Sequence, residues 1–318
     1  MRESKYLDRP EPLFPAMSEI PADVSALADL RVQAKANKDF ALADQLRDQL
    51  LDLGWQIKDI PGSYELNPRS AYQIWKAFTE VPEVKINAPY LAIIKVDGWL
   101  ADIQESTNAL LTFSPSIEVV LIDVSGDTEV GVGVHELAKS PRVHEIHLGS
   151  DPGWGLVMRT AAEKFVAEFV VLMDPSTLLT SDPIPQLESA FADSTVVSAG
   201  WRGALVNTED AWRSVDDKGS GEVDVLLGYF MAIRRESLLA TDAPHPKAIF
   251  YRNADLELSL FLREQGGRLI ALDLPLEQRR HRGYHDSDPA IRERESKKNY
   301  DRILTKFRGR SEILSPRR

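Results

Sequence analysis

Asp255 and Glu257 open a stretch of apolar period (Leu256, Leu258, Leu260, Phe261, Leu262) that Gly266-Gly267 closes. Such a period predicts a helix over about 255–266, begun by acids and ended by glycine. A carboxylate in its first turn is favoured by the helix dipole and held rigidly towards whatever pocket lies above. There it can take a proton from a hydroxyl group, or do no more than help the helix begin. Other chemistry-bearing groups stand where predicted strands end. Asp123 ends VVLID and precedes Val124-Ser125-Gly126-Asp127, Asp174 ends EFVVLMD and precedes Pro175-Ser176-Thr177, and His281 follows LIALDLPLEQRR. Together with Asp255 they can share one pocket only if the fold brings these positions to one edge.

The elements that must do so alternate. Strands are predicted at 90–96, 118–124, 144–148, 169–173, 196–199, 223–227, 229–233 and 269–272, and helices at 101–113, 132–139, 155–167, 184–192 and 255–266. Continuous apolar runs such as VVLIDV and FVVLM suit a parallel sheet buried on both faces. The expected fold is α/β, a mostly parallel sheet sandwiched by helices, with ligands beyond the carboxyl ends of its strands. Upstream, residues 1–22 are proline-rich and aperiodic and read as a flexible leader. Residues 23–66 read as a helical hairpin, one apolar face carrying Val24, Leu27, Leu30 and Ala34, the other Phe40, Ala43, Leu46, Leu50 and Leu51. A linker over 67–87, with a short helix at 72–78, leads into the main domain at 88–285, and a basic helix or tail fills 286–318.

With 318 residues and 43% apolar composition, the chain can bury a large core and a small one. It has no uninterrupted apolar run of spanning length and a polar N-terminus, which predicts no membrane span and a cytoplasmic address. The lack of cysteine excludes disulfides and thiolate zinc, leaving histidine and carboxylate as metal ligands. The net charge of −11 argues against a nucleic-acid-coated protein, yet residues 278–318 hold thirteen Lys or Arg against six Asp or Glu. That basic end reads either as a holder of diphosphate or an anionic acceptor, or as a solvated charged helix.

Two resemblances give these residues roles. The segment 29–66, with Arg31, Lys35, Asp39-Phe40, Ala43-Asp44, Arg47, Leu50, Gly54 and Asp59, resembles the C-terminal helical region of cysteinyl-tRNA synthetases. No catalytic or zinc element of a synthetase accompanies it, so it implies a borrowed module that binds RNA or a protein partner, or a docking hairpin. Residues 88–285 resemble family 2 glycosyltransferases of the GT-A fold. The resemblance runs in order through YLAIIKVDGWLADIQESTNALLTF, VVLIDVSGDT, SDPGWGLVMRTAAEKF, MDPST, LLGYFMAIRRESL and ADLELSLFLREQGGR with RRH. It implies that Asp255 is the base, that Asp123 contacts the nucleobase, and that Arg159, Gly228 and Glu257 help hold the nucleotide sugar. It implies too that Asp174, Ser176 and His281 stand around Mg²⁺ or Mn²⁺. Ser176 departs from the pattern, which has a second acid there; a hydroxyl is a poorer ligand, so weak metal binding is expected. Arg159 stands where a small polar residue is usual and either meets phosphate or salt-bridges a neighbour.

The expected activity is inverting transfer of a sugar from a UDP- or GDP-sugar to a hydroxyl acceptor. The alternative is a degenerate, non-catalytic nucleotide-sugar-binding protein whose hairpin recruits RNA or a partner. A sugar-phosphate nucleotidyltransferase would want a glycine-rich phosphate loop with a basic residue near the first strand, which KVDGWLADI does not supply. Trp154, Trp201 and Trp212 suit either a sugar face or plain packing. His135, His144 and His147 have no carboxylate at ligand spacing and read as structural or surface residues, and His285 reads either as part of the acceptor mouth or as a cap on the basic tail.

Overall fold

The computed structural model describes residues 20–60, 63–279 and 285–317, and contacts divide the chain into two units, 1–71 and 72–318. In the first, α1 (Ala22–Ala36) and α2 (Phe40–Asp52) are separated by a turn in which Lys38 takes φ 61° and Asp39 caps α2 by accepting from the Leu42 amide. Val24, Ala28 and Leu50 pack between them with Ile57. Leu30 and Phe40, assigned above to the apolar faces, are exposed instead. The helical part ends at Asp52: Gly54, at φ 80°, turns the chain into an antiparallel hairpin of β1 (Trp55–Ile60) and β2 (Ser63–Pro68). The alternation of Trp55 and Ile57 with Gln56 and Lys58 is a short strand signal at the end of the segment expected to be helical. Arg31 makes a two-pronged bond to Asp59 at 2.8 and 3.1 Å and Lys35 adds a third at 2.8 Å, holding the Asp59 carboxyl well below the usual range.

The second unit opens on β3 (Ile74–Trp75) and a single 3-10 turn at Phe78–Glu80, where the sequence predicts a helix over 72–78. Ile74 and Trp75 pair with His147 and Leu148 across the sheet, so a distant strand decides a locally ambiguous segment. Then follow β4 (Val84–Lys85), β5 (Tyr90–Val96), α3 (Leu100–Phe113), β6 (Ile117–Asp123), α4 (Thr128–Leu137), β7 (Val143–Leu148), α5 (Trp154–Lys164), β8 (Phe165–Val166) and β9 (Phe169–Met173). After β10 (Thr177–Leu179), α6 (Ile184–Phe191) and β11 (Val196–Trp201) come four short strands, β12 (Gly203–Val206), β13 (Val215–Lys218), β14 (Gly221–Val223) and β15 (Val225–Leu226). The chain closes through β16 (Phe230–Arg234), α7 (Arg235–Leu239), α8 (Ala254–Glu264), β17 (Arg268–Leu272), β18 (Leu276–Gln278) and α9 (Pro289–Phe307).

Nine strands form the central sheet in the order β14-β17-β11-β16-β9-β5-β6-β7-β3. From β3 to β9 every pairing is parallel; β16 runs antiparallel between β9 and β11, and β11 and β17 are parallel again. The strand pleat sends Leu91, Ile93, Val120 and Ile122 to the face covered by α5 and α8, and Ala92, Ile94, Val119 and Leu121 to the face covered by α3 and α6. This two-faced burial is why these runs show no alternation.

The basic end is not an appendage. Ile303 and Phe307 of α9 pack against Leu256 and Leu260 of α8, and beyond it Ser315 and Arg317 bond the buried Asp224. Much of its basic charge meets carboxylates: Arg302 with Glu257, Lys306 and Arg310 with Glu264, Arg317 with Asp224. No helix among the described residues is long and apolar enough to cross a membrane.

Candidate active site

The strand order creates a crevice before any side chain is considered. The chain leaves β5 for β6 and β7 on one side, then returns to place β9 on the other, so the loops after β5 and β9 part at the carboxyl edge. A cavity opens there, lined by Lys95, Asp97 and Trp99 at and beyond the end of β5 and by Met173, Asp174 and Ser176 at and beyond the end of β9. The first of these loops turns sharply, with Gly98 at φ 131° and Trp99 at φ 57°. A second cavity, about 710 Å³, holds Asp255 with Trp201, Arg202, Tyr229 and Arg252. Tyr251 lines both.

Asp255 stands at the boundary. It occupies the first turn of α8, as the sequence predicts, after Asn253 at φ 64°. Its carboxylate accepts from the Gly228 amide at 2.8 Å and the Leu256 amide at 2.9 Å. Gly228 itself lines the first cavity, and a Cβ there would meet Tyr251 at 3.0 Å and the Asp255 side chain at 3.3 Å, so the close approach suits glycine. Burial pushes the Asp255 carboxyl up to about 6, the two amide bonds only partly offsetting it. A carboxylate of that basicity in a cavity suits a general base. The segment bearing Tyr251 is pinned from below, because the amides of Trp154 and Gly155 bond the carbonyls of Ile249 and Ala248.

Solved structures share this fold. The chain is similar to the mannosyltransferase PcManGT from Pyrobaculum calidifontis, solved in complex with GDP-Man and Mn²⁺, at 16% identity and a TM-score of 0.51 over 89% of this chain and 76% of that one. GalNAc-T7, solved with UDP, GalNAc and Mn²⁺, gives 15% identity and a TM-score of 0.51 over 69% of this chain and 48% of that one. This is the GT-A fold. The sequence comparison reaches only the first unit. A cysteine–tRNA ligase of Opitutus terrae is 47% identical over 51 residues, and that of Leuconostoc citreum 58% identical over 38. These matches span 11% and 8% of the two ligases, about a tenth of their length. No protein-family model matches the chain.

On this GT-A frame the residues singled out above fall into different places. Asp174 lines the first cavity, but Ser176 is turned back on it: both its amide, at 2.9 Å, and its hydroxyl donate to Asp174 Oδ1, and the hydroxyl accepts from Gln278 at 3.1 Å. Ser176 therefore braces the carboxylate. Among the described residues no cluster of three His, Cys, Asp or Glu is placed to hold a metal ion. Among the described residues the donor set fits Mg²⁺ or Mn²⁺ as a one-carboxylate site completed by substrate phosphates and water. His281 lies outside the described residues, which pause at Arg279, whose amide bonds the Ser176 carbonyl at 2.8 Å.

Asp123 sits at the same sheet edge, opposite Val96, with its carboxylate committed to Ser125 and to His147 Nδ1 at 2.9 Å. His147 is held between Asp123 and Glu145, at 2.9 Å each, and stacks on Tyr72 at 3.8 Å. Burial alone would lower the His147 pKa, yet the two carboxylates raise it, and the same bond holds Asp123 below its usual range. His135 and His144 likewise face Glu145 and Glu118. Asp123 and Glu118 reach His147 and His144 from the neighbouring strand β6, whereas Glu145 stands two residues before His147 on the same strand, so the expectation of no carboxylate at ligand spacing fails there.

Two assignments are corrected. Arg159, read as a possible phosphate contact, spends its guanidinium on the carbonyls of Leu238, Leu239, Thr241 and Ala243 and on Glu163, fastening α5 to the end of α7. Glu257, read as a donor contact, is buried against α9 in a two-pronged pair with Arg302 at 2.8 Å. Among the tryptophans, Trp154 lines the first cavity, Trp201 the second, and Trp212 packs in the core under α9.

The reading missed Lys95. Its ammonium lies 2.9 Å from Asp151 and 3.3 Å from Asp97, and these carboxylates outweigh burial to hold its pKa above the usual value. The signal was a lone lysine inside the apolar run YLAIIKV, a position that must be partnered.

Proposed function

We propose that the chain is an inverting glycosyltransferase that moves a sugar from a UDP- or GDP-linked donor to a hydroxyl acceptor. The single observation that supports this most is Asp255, a carboxylate of raised basicity where a cavity at the β5/β9 crevice meets a second, larger one. The crevice is the donor side and the larger cavity the acceptor side. In the reaction Asp255 takes the proton of the acceptor hydroxyl as its oxygen bonds the anomeric carbon from the face opposite the leaving group. The bond from that carbon to the diphosphate oxygen breaks, its electron pair leaves with the nucleotide, and the configuration inverts. No covalent enzyme intermediate is needed.

Asp174 is the residue that would hold a divalent cation, Mg²⁺ or Mn²⁺, which when bound neutralises charge on the leaving diphosphate. Ser176 orients that carboxylate rather than ligating beside it. His281 keeps its assignment near the diphosphate or metal on sequence grounds alone. Gly228 gives its amide to the base and leaves room for Tyr251. Asp123, engaged by His147, supports the loop beside the nucleobase position.

The second reading, a binding protein without turnover, is favoured by Ser176 in place of an acid. One experiment separates the two: thermal-shift screening of UDP- and GDP-sugars with and without Mn²⁺, followed by turnover assays of the compound that binds. Binding with measurable transfer that Asp255→Asn abolishes supports the enzyme. Binding with no hydrolysis or transfer to any hydroxyl tried supports the second reading. The N-terminal unit is proposed to recruit a partner, and protein fits it better than RNA. Arg31, Lys35, Arg47 and Lys58 all face carboxylates, which leaves little positive field for phosphates.

A further inference from the structure

Arg202 occupies a costly position with no ion-pair partner among the described residues. The chain turns from β11 into β12 through this one residue, which takes φ 63°, a left-handed conformation that glycine adopts more cheaply. Neighbours fix the corner: the Leu227 amide bonds the Arg202 carbonyl at 3.1 Å, and a Cβ on Gly203 would collide with Val223 at 2.8 Å, so the strand cannot slide. Strain retained by a side chain beside a cavity calls for a reason in that side chain.

Its guanidinium lies over the Trp201 ring at 4.3 Å from the centroid and near that of Tyr229 at 5.5 Å. Among the described residues no carboxylate or carbonyl accepts from it, although Asp217 and Asp273 line the same cavity. The nearby Lys218, by contrast, donates to the Glu222 carbonyl at 2.6 Å. An arginine stacked on aromatic faces loses little of its hydrogen-bonding capacity, because its N–H groups point along the plane and not into the rings. The fork is pre-positioned and unoccupied, on the wall that also carries Asp255. A planar fork of this kind matches a carboxylate or a phosphate with two parallel bonds.

We propose that Arg202 is the anchor of an anionic group on the sugar acceptor, so that the hydroxyl presented to Asp255 belongs to an acidic acceptor: a uronic acid or a phosphorylated sugar. This rests on the glycosyltransferase reading of the site. Trp201 and Tyr229 hold the guanidinium plane, and the distance from fork to base selects which hydroxyl is presented.

The test compares binding of D-glucuronate, D-glucose 6-phosphate and D-glucose to the full chain by calorimetry, beside UDP-glucose, GDP-mannose and UDP-glucuronate. The expected result is that the acidic sugars bind about tenfold or more tightly than glucose. Arg202→Gln, which keeps a polar side chain but removes the charge and the fork, should erase that preference, and Arg202→Lys should restore part of it, while both variants keep the wild-type affinity for UDP-glucose or GDP-mannose and the wild-type circular dichroism. Equal binding of glucose and the acidic sugars, or an acidic preference that survives Arg202→Gln, overturns the proposal. So does a preference shown only by UDP-glucuronate over UDP-glucose, which would place the anion on the transferred sugar. If no nucleotide sugar binds the wild-type chain, the transferase reading fails on its own, whatever Arg202 does to the free acidic sugars.

Discussion

Asp255→Asn sets the catalytic and the structural roles of one group against each other with opposite signs. In the folded protein the carboxyl titrates near 6 against 3.8 unfolded, a gap worth about 3 kcal/mol. The folded state binds the proton more tightly, so stability is highest below the unfolded value and falls as the pH climbs through the folded one; the ionised carboxylate thus costs about 3 kcal/mol at neutral pH. Asparagine removes that cost. It keeps one acceptor for two amides, the donors Gly228 and Leu256, and leaving one of them facing an NH₂ costs about 1–3 kcal/mol. At pH 7 the two effects nearly cancel, so the variant should melt within a few degrees of wild type. At about pH 3.5 the desolvation relief vanishes, and the variant should be the less stable protein. Denaturant unfolding of both proteins across this range should show their stability difference drifting by about 3 kcal/mol in favour of asparagine as the pH rises. Turnover should meanwhile fall by about 10²–10⁴, and wild-type kcat/KM should rise through an inflection near pH 6. A stability difference that is flat with pH refutes the buried carboxylate, and a variant that turns over like wild type refutes the base.

Arg302→Ala strips the counter-charge from the buried Glu257 and should destabilise the second unit by about 3 kcal/mol, read by urea unfolding, while donor affinity of the folded fraction stays the same because Glu257 faces α9. Gly155→Ala would drive a Cβ to 2.1 Å from the His245 carbonyl oxygen; a loss of about 3 kcal/mol is expected, together with weaker donor binding as the Tyr251 segment shifts. Lys95→Met removes the only ammonium among the described residues lining the crevice cavity, and should weaken nucleotide-sugar binding by about tenfold at unchanged glucose binding. Mn²⁺ alone should leave the melting temperature almost where it is and raise it clearly when UDP or GDP is present, since Asp174 supplies one carboxylate and the diphosphate must supply the rest; Asp174→Asn should abolish the increment.

The sheet was legible because burial on both faces writes an unmistakable code: the strand at Tyr90–Val96 and the helix opening at Asp255 emerge within a residue or two of their expected places. What escaped depends on partners far along the chain. Ile74-Trp75 becomes a strand only because β7 offers it an edge, β12 and β13 are too short to carry a period of their own, and the strand expected at 223–227 is divided between the end of β14 and β15. The site divides in the same way. Asp174 and Asp255 follow from their positions at a strand end and a helix start, which fix where a side chain emerges. Arg159 and Glu257 do not, because emergence says nothing about which carbonyl or guanidinium lies opposite. Asp123 reaches His147 from a neighbouring strand and Asp151 reaches Lys95 from a distant loop, contacts that spacing cannot rank, whereas Glu145 and Asp97 stand two residues from the groups they hold and were legible.

The charge lining the crevice bears on how a diphosphate can enter it. Asp97, Asp102 and Asp174 line the cavity, and among the described lining residues Lys95 is the one cation, itself shared between Asp97 and Asp151. A nucleoside diphosphate brought close to any of these carboxylates meets like charge, and at effective dielectrics of about 20 each close like-charge pair costs several kcal/mol. A divalent cation arriving with the diphosphate reverses that balance without needing a preformed protein cage. One braced carboxylate is then enough, and Ser176 is better understood as the brace that keeps Asp174 aimed than as a ligand lost. On the proposed reading metal and donor would bind as a unit, while Asp255 and Arg202 line one cavity on the side proposed for the acceptor.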